Sequence, residues 1–220
     1  MAGQKTLLSW SSGKDSAYAL HLLQQDKNIE LCGLITTINK KFKRIAMHGV
    51  RLKLLKQQAK QINLPLHLIE LPYPCSNAEY EKIMTNFLNK IKADGIQNIA
   101  FGDLFLEDIK KYREEQMKNS GIELLFPCWG INTKKLSQEI IKIGIKAKIT
   151  CLDPKKLPKE FAGHSFNKEL LNTLPNNIDP CGENGEFHTF VYDSPSFQKP
   201  IKITKGESVK RDGFIFTDWL

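Results

Sequence analysis

Apolar and polar residues alternate in blocks along residues 1–130, in a pattern typical of strands that are each followed by a helix. Short, nearly continuous apolar runs are typical of strands buried in a parallel sheet. They predict strands over 5–9, 30–38, 66–71, 98–103 and 122–127. Apolar residues at steps of three and four predict helices, over 15–25, 50–62, 80–91 and 106–119. This alternation predicts an α/β fold, an open parallel sheet with helices on both faces.

The pattern changes after residue 130, where strands begin to outnumber helices. The apolar spacing predicts a helix over 133–143, a strand over 145–152 and a short helix over 165–174 with Ser165 as its N-cap. Three further β-rich pieces are predicted over 187–193, 199–204 and 213–217. We therefore predict two domains: residues 1–130, and a smaller C-terminal α+β domain over 131–220.

Composition narrows the class of protein. Hydrophobic residues make up 41% and charged residues 25% of the chain, which is typical of a globular protein. No apolar run approaches the roughly 18 residues that a membrane helix needs, and the N-terminus lacks a signal-peptide pattern. We expect a cytoplasmic protein with no membrane partner. The five cysteines are scattered without a C-x-x-C pair, so neither a disulfide framework nor a zinc site is indicated.

Positive charge is concentrated in one stretch of the chain. The formal net charge is +8, and no acidic residue occurs between Leu31 and Ile69. The cationic residues of this stretch are Lys40, Lys41, Lys43, Arg44, Arg51, Lys53, Lys56 and Lys60. Such a field attracts nucleotides, polyphosphates or RNA. No aromatic residues interleave with these cations as base-stacking platforms would require, so a nucleic-acid partner is disfavoured and a solvated face is the alternative.

The segment SWSSGKDS, residues 9–16, directly follows the first predicted strand. It matches neither the Walker A loop nor the Rossmann glycine pattern. A strand, a small-residue loop and a helix N-terminus nevertheless bring backbone N–H groups and a helix dipole to one point, which suits a phosphate. The candidate nucleotide-binding residues are Ser9, Ser11, Ser12, Gly13 and Ser16. Lys14 adds a cation, and Asp15 is a candidate Mg²⁺ ligand or a loop cap; both are candidate catalytic residues. An ordinary Ser-rich N-cap turn is the alternative.

Further candidates follow two other predicted strands. Gly102 and Asp103 end the fourth strand, where open α/β sheets bind ligands. We predict that both contact the nucleotide and that Asp103 assists Mg²⁺, with a helix N-cap as the alternative for Asp103. His48 and Arg51, in the stretch without acids, are candidates for contact with the α-phosphate.

The second polar segment, DPCGENGEFHTFVYD, covers residues 179–193. Its glycines permit a tight turn. Glu183 and Glu186 flank that turn and are candidate catalytic residues, because such a pair can bind an amine or ammonia or hold a cation. The candidate substrate-binding residues are Asn184, Gly185, His188 and Thr189. A polar hairpin turn entering an edge strand is the alternative.

These motifs carry a resemblance to a known family. SWSSGKDS resembles the S-G-G-x-D-S loop of the PP-loop ATP pyrophosphatases, with Ser12 in place of the first of two glycines. The ordered motifs are SWSSGKDS, HGV (48–50), FGDLFLED (101–108), FPCWG (126–130) and GENGEFHTF (182–190). Together they resemble the diphthine–ammonia ligase-like branch of that superfamily over nearly the whole chain.

The resemblance implies an adenine nucleotide α-hydrolase-like domain that binds ATP with Mg²⁺, and a smaller domain that holds the acceptor. It also implies adenylation of a carboxylate with release of pyrophosphate, followed by attack of ammonia. In the full ligases the acceptor is diphthine, a modified histidine on elongation factor 2. The chain differs from their G-E-x-G-E-Y-E-T pattern, because Phe187 replaces the tyrosine and His188 replaces a carboxylate.

Two other functions remain open at the level of sequence. A tRNA-modifying PP-loop enzyme is suggested by the basic 40–60 region. A non-catalytic module that binds adenine nucleotides is suggested by Ser12. The oligomeric state is also open, with a homodimer as one option.

Overall fold

Two β-sheets, one mostly parallel and one antiparallel, organise the chain. The structure is a computed structural model that describes residues 3–45 and 48–220. Its strands are β1 Gln4–Ser9, β2 Ile29–Asn39, β3 Arg44–Ile45, β4 Leu66–Leu71, β5 Asn98–Ala100, β6 Glu123–Leu125, β7 Lys146–Leu152, β8 Ser165–Phe166, β9 Phe187–Asp193, β10 Lys205–Arg211 and β11 Phe214–Trp219. Its α-helices are α1 Lys14–Gln25, α2 Leu52–Ile62, α3 Asn77–Ala93, α4 Glu107–Met117, α5 Thr133–Lys142 and α6 Lys168–Thr173, with a 3₁₀ turn at Lys159–Phe161.

The first sheet is a parallel sheet of order β4–β2–β1–β5–β6. The short strand β3 pairs antiparallel with the end of β2, and it was absent from the sequence-based prediction. Because these strands are parallel, the loops that follow β1, β2, β4 and β5 all lie at one edge of the sheet.

Helices cover both faces of this sheet, as the sequence predicted. Leu7 and Leu8 are both fully buried and point to opposite faces. Leu8 packs in a cluster that includes Leu20 of α1 and Leu55 of α2. Leu7 packs in a second cluster that includes Leu88 of α3 and, from α4, Met117. The α/β class is therefore confirmed.

The second sheet is antiparallel and is centred on β7. β7 pairs with β8, β9 and β11, and β11 pairs with β10. Phe190 of β9 and Leu136 of α5 belong to the same apolar cluster as Leu8. The C-terminal part is thus α+β, and it shares a core with one face of the parallel sheet. Division into domains at residue 130 remains our proposal.

Two local predictions were wrong. Ser165 is not a helix N-cap: Phe166 is buried and pairs with Ala147, and α6 begins after Asn167, whose Oδ1 accepts the Leu170 N–H at 2.9 Å. The piece 199–204 is not a strand either, and the strand lies at β10 instead. β10 has few apolar residues, and its register is set by the hairpin turn at 212–213, where both φ values are positive.

None of the helices in the described ranges is long and apolar enough to cross a membrane.

Candidate active site

A cavity of about 530 Å³ opens at the edge where the parallel strands end, and the turn before β9 closes one side of it. Among the residues predicted from sequence, its wall includes Ser9, Ser11, Lys14, Asp15, Ser16, His48, Gly102, Asp103, Glu183, His188 and Thr189. Ser12, Gly13, Asn184, Gly185 and Glu186 are not part of the wall. The structure thus brings most candidates from both polar segments to one place, and their roles remain proposals.

Hydroxyl groups shape the loop between β1 and α1. The Ser11 hydroxyl accepts the Gly13 N–H at 3.3 Å and donates to the Ser16 hydroxyl at 3.1 Å. Ser16 in turn donates to the Gly13 carbonyl at 2.9 Å. Gly13 is the N-cap of α1, so the positive end of the helix dipole faces the cavity. This arrangement can bind an anion.

Ser12 has an unusual backbone conformation for a residue with a side chain. Its φ is 71°, in the left-handed region that favours glycine. The side chain is fully buried, and its hydroxyl has no hydrogen-bond partner. The carbonyl accepts the Val191 N–H at 2.9 Å and the Gln58 amide at 3.1 Å. Ser12 therefore connects the loop to β9 and α2 rather than facing the cavity.

Gln58, which the sequence did not single out, holds this connection together. It is fully buried on α2. Its oxygen accepts the Trp10 indole N–H at 2.8 Å, and its amide donates to the Val191 carbonyl at 2.6 Å. A polar residue inside the apolar pattern of α2 was the available signal.

Lys14 lies at the junction of the two sheets. Its ammonium donates to Asp15 Oδ2 at 2.9 Å and to the Cys181 carbonyl, and it lies 5.4 and 5.5 Å from the ring centroids of Phe166 and Phe187. Burial is the largest single effect and disfavours the charged form, but the Asp15 carboxylate, its hydrogen bond to the ammonium and other nearby groups together raise the pKa of Lys14. A permanent positive charge therefore lies at the base of the loop.

Asp15 has one carboxylate oxygen without a partner. Oδ1 is buried and unbonded, while burial raises the pKa of this carboxyl against the opposing effect of Lys14. Within the described ranges no cluster of three or more His, Cys, Asp or Glu residues suits a metal. Mg²⁺ binds through one or two carboxylates plus substrate phosphates, so the free Asp15 oxygen fits it.

The two glutamates of the second segment occupy different places. Glu183 lines the cavity, and its Oε1 accepts the Leu104 N–H at 3.0 Å. Burial, and then the neighbouring Asp15 carboxylate, raise the pKa of Glu183 to about 7. Glu186 is buried outside the cavity wall, and its Oε1 accepts the N–H groups of Asp179 and Asn184 at 3.1 and 3.2 Å. Of these two glutamates, only Glu183 is placed to exchange a proton with a ligand in the cavity.

His48 and His188 form a pair of neutral imidazoles beside the loop. Their ring centroids are 4.6 Å apart, and His48 Nδ1 lies 3.3 Å from the Thr189 carbonyl. Burial lowers the pKa of His48 to about 4 and that of His188 to about 3. A Cβ atom placed on Gly13 would lie 3.2 Å from the His48 ring. The pair thus closes on the loop without adding charge.

Gly102 and Asp103, the predicted nucleotide contacts after β5, make different contacts in the structure. A Cβ atom on Gly102 would lie 3.0 Å from the backbone of Asp15 and Ser16, so Gly102 packs directly on the start of α1. Asp103 accepts Arg113 Nε at 2.5 Å and Nη2 at 3.0 Å. The Arg113 guanidinium lies 4.2 Å from the Phe101 ring centroid. Asp103 is therefore engaged by a cation of the chain itself.

Arg51 does not reach the cavity. Its guanidinium bonds to Asp218 of β11, and Arg44 donates to the same carboxylate at 2.9 Å. These arginine hydrogen bonds hold the pKa of Asp218 near 2, against the opposing effect of its burial. This placement does not support the prediction that Arg51 contacts the α-phosphate, because the Arg51 guanidinium is held by Asp218 outside the cavity wall. Asp218 thus binds an arginine on each side of His48 in the chain.

The parallel sheet, the loop between β1 and α1, and the adjoining antiparallel sheet give the α/β architecture with a C-terminal α+β part that the PP-loop resemblance implied. Residues 4–124 match the family model for the diphthamide synthase N-terminal domain, and residues 132–217 match that for the diphthamide synthase C-terminal domain. The chain belongs to the diphthamide synthase family.

Several curated proteins resemble the chain at moderate identity. The diphthine–ammonia ligase of Rattus norvegicus is 28% identical over 141 residues, which cover 61% of this chain and 52% of that protein. The diphthine–ammonia ligase of Homo sapiens is 27% identical over 143 residues, with the same coverage of 61% and 52%. The Schizosaccharomyces pombe diphthine–ammonia ligase is 31% identical over 101 residues, or 44% of this chain and 17% of that protein. The chain thus spans about half the length of the mammalian relatives it matches.

One solved structure also aligns with the chain. It is a predicted subunit of tRNA methyltransferase from Methanocaldococcus jannaschii, with 17% identity, coverage of 90% of this chain and 100% of that chain, and a TM-score of 0.42. At this similarity it carries no functional argument.

Proposed function

We propose that the chain is an ATP-dependent ligase that adenylates a carboxylate, releases pyrophosphate and forms an amide with ammonia. One observation carries this proposal: Glu183, from the C-terminal part, lies in the same cavity as the loop at the start of α1. An anion-binding loop and a carboxyl group with a pKa near neutrality are the two devices that the two half-reactions need.

The triphosphate of ATP would bind at residues 11–16. The N-terminus of α1 presents backbone N–H groups and a positive dipole there. The hydroxyls of Ser11 and Ser16, which donate within the loop, would rotate to donate to the phosphates. Ile35 and Ile69 provide an apolar part of the cavity wall for the base. Asp15 Oδ1 would hold Mg²⁺, which neutralises charge on the phosphates when bound.

In the first half-reaction an acceptor carboxylate oxygen attacks the α-phosphorus. The bond to the oxygen that bridges the α- and β-phosphorus atoms breaks, and pyrophosphate leaves with that electron pair. The fixed charge of Lys14 and the helix dipole stabilise the negative charge that develops on the departing group.

In the second half-reaction ammonia attacks the acyl carbon of the adenylate and AMP leaves. Glu183 takes the proton that the nitrogen loses, which suits a carboxyl whose pKa is raised to about 7. Glu186, Asn184 and Gly185 would act by fixing the turn that carries Glu183, because the Glu186 carboxylate bonds within that turn.

The family and its relatives suggest diphthine on an elongation factor as the acceptor. His188 is the residue in the cavity that we expect to alter acceptor recognition, because it is neutral where the ligases described above carry a carboxylate.

Isosteric replacement of each glutamate tests this proposal. With ATP, ammonium and elongation factor 2 carrying diphthine, Glu183→Gln should lower the rate of amide formation by about 10²–10⁴-fold. The rise of that rate through about pH 7 should disappear as well. Glu186→Gln is the matched control and should keep the pH-dependent limb. Pyrophosphate, AMP and amide are quantified separately.

Two outcomes would contradict the proposal. ATP binding without pyrophosphate release by the wild type would identify a non-catalytic nucleotide-binding module. An unchanged pH profile in Glu183→Gln would assign proton transfer to another group.

A further inference from the structure

Exposed large hydrophobic side chains are concentrated in the segments that follow strands β2, β4 and β5. Seven large hydrophobic residues of the described ranges are exposed, and five of them follow strands of the parallel sheet at its cavity edge: Phe42, Tyr73, Phe105, Ile109 and Tyr112. Scattered exposed hydrophobics need no explanation, whereas a cluster beside a site indicates a binding surface. We call these five residues the apolar rim.

One side of the apolar rim is formed by Phe42 and Tyr73. Phe42 lies in the turn after β2, Tyr73 follows β4, and their ring centroids are 5.1 Å apart in an edge-on arrangement. Phe42 is 47% exposed and Tyr73 is 58% exposed. The ammonium of Lys41 lies 5.6 and 5.7 Å from the two ring centroids. Residues 31 apart in the chain thus form one surface, which the sequence pattern could not show.

The other side of the apolar rim is formed by Phe105, Ile109 and Tyr112 at the start of α4. Ile109 is exposed and also lines the cavity, so the rim is continuous with the site. Tyr112 lies beside Tyr80, a second cavity residue. Strands β4 and β5 are separated by three inter-strand spacings, or about 14 Å. The two sides therefore follow strands that flank β2 and β1, and residues of all four strands line the cavity.

The charges around the apolar rim indicate which macromolecule would bind there. Exposed Lys40, Lys41 and Lys43 surround Phe42, whereas exposed Glu107, Asp108 and Lys111 lie around Ile109. The second side of the rim therefore carries charges of both signs, and the described residues of the rim do not form the continuous cationic track along which a nucleic-acid backbone binds. Mixed charge around an apolar centre with aromatic residues is typical of protein–protein interfaces.

We propose that the apolar rim docks a folded protein that carries the acceptor carboxylate on one of its side chains, with acidic residues opposite Lys40, Lys41 and Lys43. This inference rests on the proposed function, since the docked protein is the carrier of the acceptor. Docking on both sides of the mouth places that side chain over the cavity, where the loop and Glu183 lie.

The test replaces rim residues that lie outside the cavity wall. The variant is Phe42→Ser/Tyr73→Ser/Phe105→Ser, and Val209→Ser on β10 is the matched control, because Val209 is 48% exposed. Two acceptors are compared: elongation factor 2 carrying diphthine, and a short peptide carrying the same residue. The triple variant should raise the KM for the folded factor at least tenfold. Its kcat, its KM for the peptide and its affinity for ATP should match those of the wild type and of Val209→Ser.

Several results would overturn the docking surface. One is an unchanged KM for the factor; another is an equal rise for peptide and factor, which would place the effect inside the cavity. Salt-dependent binding of tRNA by the wild type that the triple variant loses would assign the rim to RNA.

Direct binding separates this inference from the proposed function. If the wild type forms no amide from either acceptor, the proposed function fails, and immobilised factor is then titrated with each variant. Tenfold weaker binding of the triple variant than of Val209→Ser supports docking. Absence of binding by the wild type, or equal binding by all three proteins, overturns it.

Discussion

At the scale of single residues, Ser12 holds a conformation that costs free energy. The left-handed φ of 71° costs a residue with a side chain about 1–2 kcal/mol. A buried hydroxyl without a partner adds a desolvation cost of about 1–3 kcal/mol. The conformation persists because the Ser12 carbonyl is bonded to both Val191 and Gln58.

Replacing this serine with glycine should stabilise the protein. Ser12→Gly removes both costs, while the greater freedom of glycine in the unfolded chain offsets part of the gain. We expect the free energy of unfolding to rise by about 1–4 kcal/mol, measured by urea denaturation.

Ser12→Ala separates the two causes, since it removes the hydroxyl and keeps the φ. A gain in the alanine variant equal to that in glycine would assign the whole effect to the hydroxyl. A loss of stability in both variants would contradict the strain.

At this scale the sequence identified which residues lie near the candidate site, but not where their side chains point. The spacing of Glu183 and Glu186 suggested a pair, yet Gly182 and Gly185 both have positive φ values and turn the two carboxylates to different places. Lys14 lines the cavity, and its ammonium also donates to the Cys181 carbonyl, a contact that the sequence did not suggest. A contact with a segment 167 residues away leaves no local pattern in the sequence.

At the scale of elements, the site depends on how closely the loop after β5 approaches α1. Gly102 contacts the backbone of Asp15 and Ser16, which cannot move aside as a flexible side chain would. The first turn of α1, where the phosphates would bind, is held in place by this contact.

A single methyl group at this contact should weaken nucleotide binding. Gly102→Ala places a Cβ atom 3.0 Å from that backbone and shifts the start of α1. We expect the Kd for ATP to rise about tenfold, or about 1.4 kcal/mol, by calorimetry. Gly206→Ala, with its nearest neighbours at 3.4 Å, is the control and should bind ATP like the wild type. Equal affinities in all three proteins would show that the contact tolerates a methyl group.

Helices and strands with a clear apolar periodicity were predictable from the sequence, whereas strands that depend on pairing with a distant strand were not. The apolar steps of α3 and the apolar run of β2 gave correct elements. β8 has two residues, and its strand identity comes from pairing with β7, so Ser165 resembled a helix cap. β10 is an exposed edge strand and carries little apolar signal.

At the scale of the whole molecule, the two parts meet at a pair of uncharged histidines. His48 follows β3, His188 lies on β9, and both have lowered pKa values because they are buried. In the unfolded chain a histidine titrates near pH 6.5. Below that pH the unfolded state binds protons that the folded state does not, so this pair makes the free energy of unfolding fall on acidification.

This linkage predicts a difference between the wild type and His188→Gln. As the pH is lowered from about 6.5 towards 4, the wild type should lose stability faster than the variant. The difference has an upper limit of about 1.4 kcal/mol per pH unit. Glu183, whose pKa is raised, acts in the opposite direction in both proteins, so comparison of the two isolates His188. Urea denaturation at each pH measures it, and parallel curves would show that His188 is protonated in the folded state.

The sequence predicted the first sheet, because its parallel fold follows from the apolar periodicity of the strands and helices and from the short connections between them. The way the second sheet packs was not predictable, because the shared core joins Leu8 to Phe190 across most of the chain. The family resemblance implied that the loop between β1 and α1 and the second polar segment act in one site, and both line the cavity.

The hydrogen bonds from β9 to the loop restrict how the two parts can be exchanged between relatives. The Ser12 carbonyl accepts the Val191 N–H, and the Lys14 N–H donates to the Thr189 hydroxyl at 3.1 Å. A chimera joined near residue 130 would pair the loop between β1 and α1 of one protein with β9 of another. Such hybrids should retain nucleotide affinity only when Thr189 and the residue facing Ser12 come from compatible parents, so the halves are expected to evolve together.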